Sequence, residues 1–261
     1  MNVVIKNQAK AECFSGLFQH IRLFTEHINI MFETDKVYFQ SMDSARVSIF
    51  ELYLPATWFD IYKHTHDTPI AIGISSTLLF KILNTREKGQ ETKLVFDNDQ
   101  SDKLFVDFTC ENPAIFDKKF EIPLVDLEQE MMHIPEMESQ AEFALCSANF
   151  ANLINQLKLF GDTLEVECTE EKITLHSLSP DAGKMQVEID INELTEYAIE
   201  EGETVRLSFS LSILHNICMY SKISKNVNVF LKDNFPMKVC YSLGDNNANL
   251  AFYLAPKLSD D

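Results

Sequence analysis

The sequence predicts an α+β protein made of two similar halves, each combining antiparallel sheet with two helices. Three observations carry that expectation: an internal repeat, a mixture of helical and strand periodicity in which strands outnumber helices, and short polar turns between the strands. In the repeat, residues 14–42, FSGLFQHIRLFTEHINIMFETDKVYFQSM, lie over 150–178, FANLINQLKLFGDTLEVECTEEKITLHSL, at an offset of 136. Phe14 meets Phe150, Leu17 meets Leu153, Ile21 meets Leu157, Phe24 meets Phe160, Ile28 meets Leu164, Val37 meets Ile173 and Ser41 meets Ser177. A second block, SSTLLFKILN (75–84) over SLSILHNICM (210–219), continues at an offset of 135 into 93–108 over 228–243. Two blocks holding nearly one offset indicate a tandem duplication.

Taken in order, the first helix is expected within 10–28, where Phe14, Leu17, Phe18, Ile21 and Phe24 follow helical spacing. INIMFET (28–34), KVYFQS (36–41) and RVSIFELYL (46–54) alternate as strands, with the polar turn ETDK between the first two. In the third, Val47, Ile49, Glu51 and Tyr53 share one face. Leu78, Leu79, Ile82 and Leu83 mark a second helix within 75–88, and the repeat places two more within 147–160 and 210–225. Short connections favour antiparallel pairing. Residues 124–136 follow neither period and are acidic, so they read as a connecting loop between halves at 1–123 and 137–261.

Composition narrows the class. The chain has 261 residues, 46% of them apolar, with 20 Phe and only 7 Gly and 8 Pro, which predicts a folded protein with a substantial core. MNVVIKNQAK has no apolar run behind a basic start, and no stretch of about 18 apolar residues occurs, so neither a secretory leader nor a membrane helix is expected. The six cysteines (13, 110, 146, 168, 218 and 240) form no C-x-x-C pair and read as reduced, mostly buried thiols of an intracellular protein.

A net charge of −18 argues against a nucleic-acid-binding surface if it is spread evenly. It is not. The four helical segments hold eight basic residues (Lys10, Arg22, Lys81, Arg86, Lys88, Lys158, Lys222 and Lys225) against Glu12, Glu26 and Glu87, a net of +5. The remaining 14 basic and 37 acidic residues carry −23. Helices tolerate Lys and Arg well, but they tolerate Glu equally, and Glu is scarce there. A surface of +5 suits weak, salt-sensitive contact with DNA rather than sequence-specific recognition.

Catalytic patterns are missing: there is no G-x-S-x-G, H-E-x-x-H, G-x-x-x-x-G-K-[ST] or G-x-G-x-x-G. His64, His66 and Asp67 in KHTHDT lack a further ligand cluster and read as a solvated loop. Ser41, Asp43 and Ser44 lack a neighbouring histidine and read as a polar turn, leaving a Ser41 or Ser44 hydrolase with His64 or His66 as a remote alternative. No enzyme activity, metal or cofactor is expected. Met42, Met131, Met132 and Ile134 are apolar residues in irregular segments; they either cover core or form a surface for adaptable peptide binding.

Three motifs, QSMDSARVSIFELYL (40–54), LVDLEQEMMHIPE (124–136) and YLAPKLSDD (253–261), together resemble the eukaryotic-type sliding clamp family, the proliferating cell nuclear antigens (PCNA), across essentially the whole chain. The resemblance implies a DNA-clamp fold: a ring of three chains, sheets outside and four helices per chain lining a central hole that duplex DNA passes through without sequence preference. It implies a processivity factor for replication and repair in the nucleus, or in a viral replication compartment, with no membrane partner. DNA-facing residues would be Arg22, Lys81, Lys158, Lys222 and Lys225, with Lys10, Arg86 and Lys88 as further candidates. A front pocket for PIP-box peptides of DNA polymerase, clamp loader, ligase and nuclease would comprise Met42, Val47, Ile49, Met132, Ile134, Pro135, Pro236, Tyr253, Ala255, Pro256 and Lys257. The homotrimer would join through 116–122 (Phe116, Phe120, Ile122) against 183–189 (Lys184, Met185, Val187). A monomeric or dimeric processivity factor, or a checkpoint-clamp-like subunit of a heterotrimer, is the alternative.

The chain also departs from the family's pattern. Ser15, Gly16, Asn84, Asn152 and Asn155 stand at helix positions usually basic, which implies weaker or more water-mediated DNA contact. Glu170 stands where a modification-site lysine is usual, with Lys172 nearby, and Met132–His133 replace a typical Leu-Gly. These departures fit a divergent member such as a virus or protist would encode.

Overall fold

The computed structural model describes residues 1–66, 68–97, 102–127, 132, 134–135, 137–244 and 247–257. Asp67, Met131 and His133 lie outside the described residues. The strands are β1 (Asn2–Ile5), β2 (His27–Phe32), β3 (Lys36–Met42), β4 (Ser48–Pro55), β5 (Ile61–Lys63), β6 (Ile70–Ser75), β7 (Glu91–Val95), β8 (Lys103–Thr109) and β9 (Lys118–Pro123). They continue as β10 (Ala141–Cys146), β11 (Thr163–Cys168), β12 (Lys172–Ser179), β13 (Gly183–Asp190), β14 (Glu196–Ile199), β15 (Val205–Ser210), β16 (Asn226–Leu231), β17 (Met237–Ser242) and β18 (Asn249–Leu254). Among the described residues four α-helices, α1 (Gln8–Ile21), α2 (Ser76–Leu83), α3 (Ser147–Leu157) and α4 (Leu211–Cys218), join them. The fold is α+β, with antiparallel sheets and, among the described residues, four α-helices.

Contacts divide the chain into two compact units. One is Met1–Ser44, Glu51–Met132 and Leu243–Asn249; the other is Ala45–Phe50, His133–Ser242 and Leu250–Asp261. In the first, β5-β1-β7-β8-β9 form one sheet order and β4-β3-β2-β6 another. The second unit has β14-β10-β16-β17-β18 and β13-β12-β11-β15. Each label in the second series is the first series raised by nine, so the duplication seen in the sequence is a duplication of topology. Burial agrees in most pairs: Phe14 and Phe150, Ile21 and Leu157, Ile28 and Leu164, Val37 and Ile173, and Ser41 and Ser177 are all buried, whereas Leu153 and Phe160 are only half-buried where Leu17 and Phe24 are buried.

The long helices form for local reasons. The Asn7 side chain accepts from the Lys10 amide at 3.1 Å and caps α1, satisfying one of the free amides of its first turn. One face then buries Ala11, Phe14, Leu17, Phe18 and Ile21, and each large side chain contributes about 2 kcal/mol on leaving water. Phe14 packs edge-on to Phe18 at 4.9 Å, and the single tryptophan, Trp58, donates its indole N–H to the Leu243 carbonyl at 2.9 Å. In the second unit Phe252 is fully buried, with Tyr220 at 5.3 Å and Phe50 at 6.1 Å.

The helices stop earlier than periodicity suggests. The α1 helix ends at Ile21 rather than 28, α2 at Leu83 rather than 88, and α3 at Leu157 rather than 160. The α4 helix passes at Cys218 into a 3₁₀ turn, Met219–Lys222. Several cations of the helical segments therefore stand at helix ends or beyond. Arg22 and Lys158 are C-caps, Lys222 ends the 3₁₀ turn, and Arg86, Lys88 and Lys225 lie beyond the helices. A cation near a helix C-terminus faces the partial negative charge of unpaired carbonyls, which favours this placement. The third strand is also shorter: Arg46 has φ +58°, which breaks extension, so β4 starts at Ser48.

Candidate functional site

In the second unit the tail and the turn after β3 lie together. The Ala255 amide donates to the Val47 carbonyl at 2.9 Å, setting Val47, which is 38% exposed, beside the end of β18. Along β4 the burial alternates, so Ser48 and Phe50 face inward and Ile49 is half-buried. Tyr253 is half-buried on β18, with the Lys238 ammonium 5.6 Å from its ring centre. Pro256 is half-buried, while Ala255 and Pro236 are exposed. Lys257 is committed within the fold: its amide donates to Ser208 O at 2.7 Å and its ammonium to Thr163 Oγ1 at 2.6 Å, tying the tail to β15 and β11. Ile134 is half-buried and Pro135 exposed on the connecting segment of the same unit.

The first unit holds Met42 and Met132. Met42 ends β3 and is half-buried. Two residues earlier the buried Gln40 grips the connecting segment with both ends of its amide: Oε1 accepts from the Met132 N–H, and Nε2 donates to the Met132 carbonyl at 3.0 Å. Nε2 also donates to the Tyr38 hydroxyl at 3.1 Å, which in turn donates to Glu51 Oε2 at 2.8 Å. Burial, with Glu51 adding to it, pushes the Tyr38 phenol well above its usual value, so it stays protonated and remains a donor. Upstream, the Val125 amide donates to the Gly73 carbonyl at 2.8 Å, and a Cβ on Gly73 would collide with the Val125 carbonyl oxygen.

The basic residues divide into free and committed. Lys81, Lys158, Lys222, Lys225 and Lys88 are exposed. Arg22 is exposed at the end of α1 but partly committed, with Nε donating to the Gln19 carbonyl at 3.1 Å and its guanidinium 5.3 Å from the Phe80 ring centre on α2. Lys10 instead donates to the Trp58 carbonyl at 2.6 Å, and Arg86 reaches Gln8 Oε1 at 2.8 Å and the Gln90 carbonyl at 2.9 Å. Spacing along the chain reveals neither set of partners. In the second unit His215 Nδ1 is 2.6 Å from Asn155 Oδ1. Burial first, and the charge of Lys158 second, hold His215 below its usual pKa.

The outer strands β9 and β13 carry the remaining candidates. Ile122 is buried, Phe120 packs on Phe108 at 5.8 Å, and Phe116, just before β9, is 80% exposed. On β13, Met185 and Val187 are half-buried and Lys184 is exposed; Leu178, paired in register with Lys184, is 60% exposed.

The arrangement offers little for a hydrolase. Ser41 is buried, and both ring nitrogens of His64 lie 3.0 Å from carbonyl oxygens, of His66 and Phe32, rather than beside a hydroxyl. Among the described residues no cluster of three or more His, Cys, Asp or Glu is close enough to hold a metal, and no helix is long and apolar enough to cross a membrane. All six cysteines are free thiols; Cys168 and Cys218 are buried and the other four partly so.

Both halves of the chain match a known family. Residues 6–131 match the family model described as proliferating cell nuclear antigen, N-terminal domain, and residues 133–257 match that of the C-terminal domain. The proliferating cell nuclear antigen of Chaetomium thermophilum is 29% identical over 238 residues, spanning 85% of this chain and 85% of that one.

Proposed function

The chain belongs to the proliferating cell nuclear antigen family, and from that premise we propose that it works as a homotrimeric ring that encircles duplex DNA and docks partner proteins through short peptides. Membership makes it a sliding clamp, a processivity factor of DNA replication and repair. The trimer, the docking site and a nuclear or viral replication compartment as its place of action are the finer parts of the proposal.

One observation supports the ring above all. Inside the second unit the start of β4 lies by β18, through the bond from Ala255 to Val47. By the duplication, β4 corresponds to β13 and β18 to β9. Both β9 and β13 are outer strands in their sheet orders, and each has an exposed apolar residue at hand, Phe116 and Leu178. Setting β9 of one chain against β13 of the next would repeat between chains the neighbourhood of β18 and β4. It would also cover two strand edges that otherwise invite aggregation. A head-to-tail contact of this kind closes into a ring when its rotation permits.

In the second unit Val47, Ile49, Tyr253 and Pro256 are proposed to receive the apolar anchors of peptides from DNA polymerase, clamp loader, ligase and nuclease, and in the first unit Met42 and Met132 are proposed as separate, adaptable peptide contacts. No catalytic role is assigned to any residue. Light scattering tests the assembly: a particle near three times 29.9 kDa is expected. A strict monomer at micromolar concentration would overturn the self-assembled ring.

A further inference from the structure

Each half carries, at equivalent positions, an exposed leucine directly after a helix-ending cation. Arg22 caps α1 and Lys158 caps α3, one repeat offset of 136 apart. Leu23, 49% exposed, and Leu159, 73% exposed, follow them. On the second helix of the same half Phe80 lies under the Arg22 guanidinium, while His215 makes its close contact with Asn155 Oδ1, at 2.6 Å. Phe80 and His215 are themselves equivalent, at the second block's offset of 135. The nearest following acids, Glu26 and Asp162, are equivalent too. They lie past the turn, where their carbonyls accept the Ser76 and Leu211 amides at 3.0 Å and so tie the turn to the start of α2 and α4.

A single exposed leucine needs no explanation. Here the same exception occurs twice in halves whose sequences have otherwise diverged, each time beside a cation. Phe116 and Leu178 have an account on the outer strands, and Val47 has one beside the tail; Leu23 and Leu159 have none in the folded chain. The neighbouring positive charge selects an anionic partner over another acidic surface of this protein, whose net charge is −18. Duplex DNA presents, along each strand, anionic phosphates alternating with the apolar faces of deoxyribose.

We propose that Arg22–Leu23 and Lys158–Leu159 are two equivalent sugar–phosphate contacts, the cation meeting a phosphate and the leucine packing on the adjoining deoxyribose. The inference rests on the reading that this chain embraces duplex DNA. The leucine supplies a contribution that salt does not screen, at positions following helices whose basic residues are few. Phe80 holds the Arg22 side chain over its ring face, an attraction that fixes the cation's place.

The test is binding of a short fluorescent duplex, followed by anisotropy over a range of salt concentrations. Three proteins are compared: the parent, Leu23→Ser with Leu159→Ser, and Arg22→Gln with Lys158→Gln. The serine variant is expected to bind about fivefold more weakly at every salt concentration, with the slope of log affinity against log salt unchanged. The glutamine variant is expected to flatten that slope by about 0.9 for each phosphate it no longer neutralises. Leu23→Met with Leu159→Met, which keeps the apolar surface, should bind like the parent. Equal binding by the serine variant and the parent overturns the proposal, as does a serine variant whose slope flattens or whose particle mass changes. A parent that is retained on closed circular DNA but ignores the short duplex overturns this inference alone. One that does neither overturns the DNA reading as well.

Discussion

Gln40 shows how much one buried amide organises. Its two ends match the N–H and carbonyl of Met132, 92 residues away, and its side chain is fixed from behind by Tyr38 and Glu51. Replacing it by leucine keeps the volume but leaves Met132 without either bond, a loss of about 1–3 kcal/mol when polar groups stay unpaired. Gln40→Leu is therefore expected to speed hydrogen exchange at the Met132 amide and weaken peptide capture, with the particle mass unchanged. Gln40→Glu separates the two bonds: a carboxylate still accepts from the N–H but opposes the carbonyl, so partial protection should remain. Unaltered exchange in both variants would remove Gln40 from its positioning role. The sequence sets Gln40 in a polar patch beside Met42, yet nothing in its spacing identifies the partner. The commitments of Lys10 and Arg86 are hidden for the same reason, since a long aliphatic stem lets a cation turn back onto a distant backbone carbonyl.

At the level of elements, periodicity and the internal repeat locate the four helices of the described residues and the strands β2, β3 and β4, because one-sided burial leaves a regular apolar pattern. It overruns their ends, because turn residues such as Phe24 and Phe160 continue the apolar pattern after the backbone has left the helix. The start of β4 is hidden differently: Arg46 adopts a left-handed backbone that its residue type does not announce. The connecting segment offers no period at all, and what holds it is a close backbone approach. Val125 donates to Gly73 on β6, and the Leu127 side chain comes within 3.1 Å of where a Gly73 Cβ would sit. Gly73→Ala must push that segment away, since the obstacle is backbone oxygen rather than a flexible side-chain tip. A cost of about 1–3 kcal/mol in thermal or denaturant stability is expected, together with faster proteolysis of the segment after Pro123. A variant as stable and as resistant as the parent would mean that the segment is not anchored at β6.

For the whole molecule, the central physical question is how a chain of net charge −18 serves a polyanion. The cations at the helix ends provide local attraction, but too few of them are free for tight binding: Lys10 and Arg86 are committed to carbonyls, and Ser15, Gly16, Asn84, Asn152 and Asn155 contribute no charge. In the proposed ring, enclosure would remove the need for high affinity, because a closed ring on closed DNA is held by topology. The two modes of holding respond differently to salt. Contact through phosphates weakens steeply as salt rises, through release of counterions. A topological link has no such dependence so long as the ring stays closed. After loading onto a closed circular duplex, the protein is therefore expected to remain bound through a salt increase that abolishes binding of a short linear fragment. Cutting the circle once should release it without any change of salt. Loss from the intact circle in parallel with loss from the fragment, at unchanged particle mass, would mean that electrostatic attraction alone holds the protein, and encirclement would be rejected.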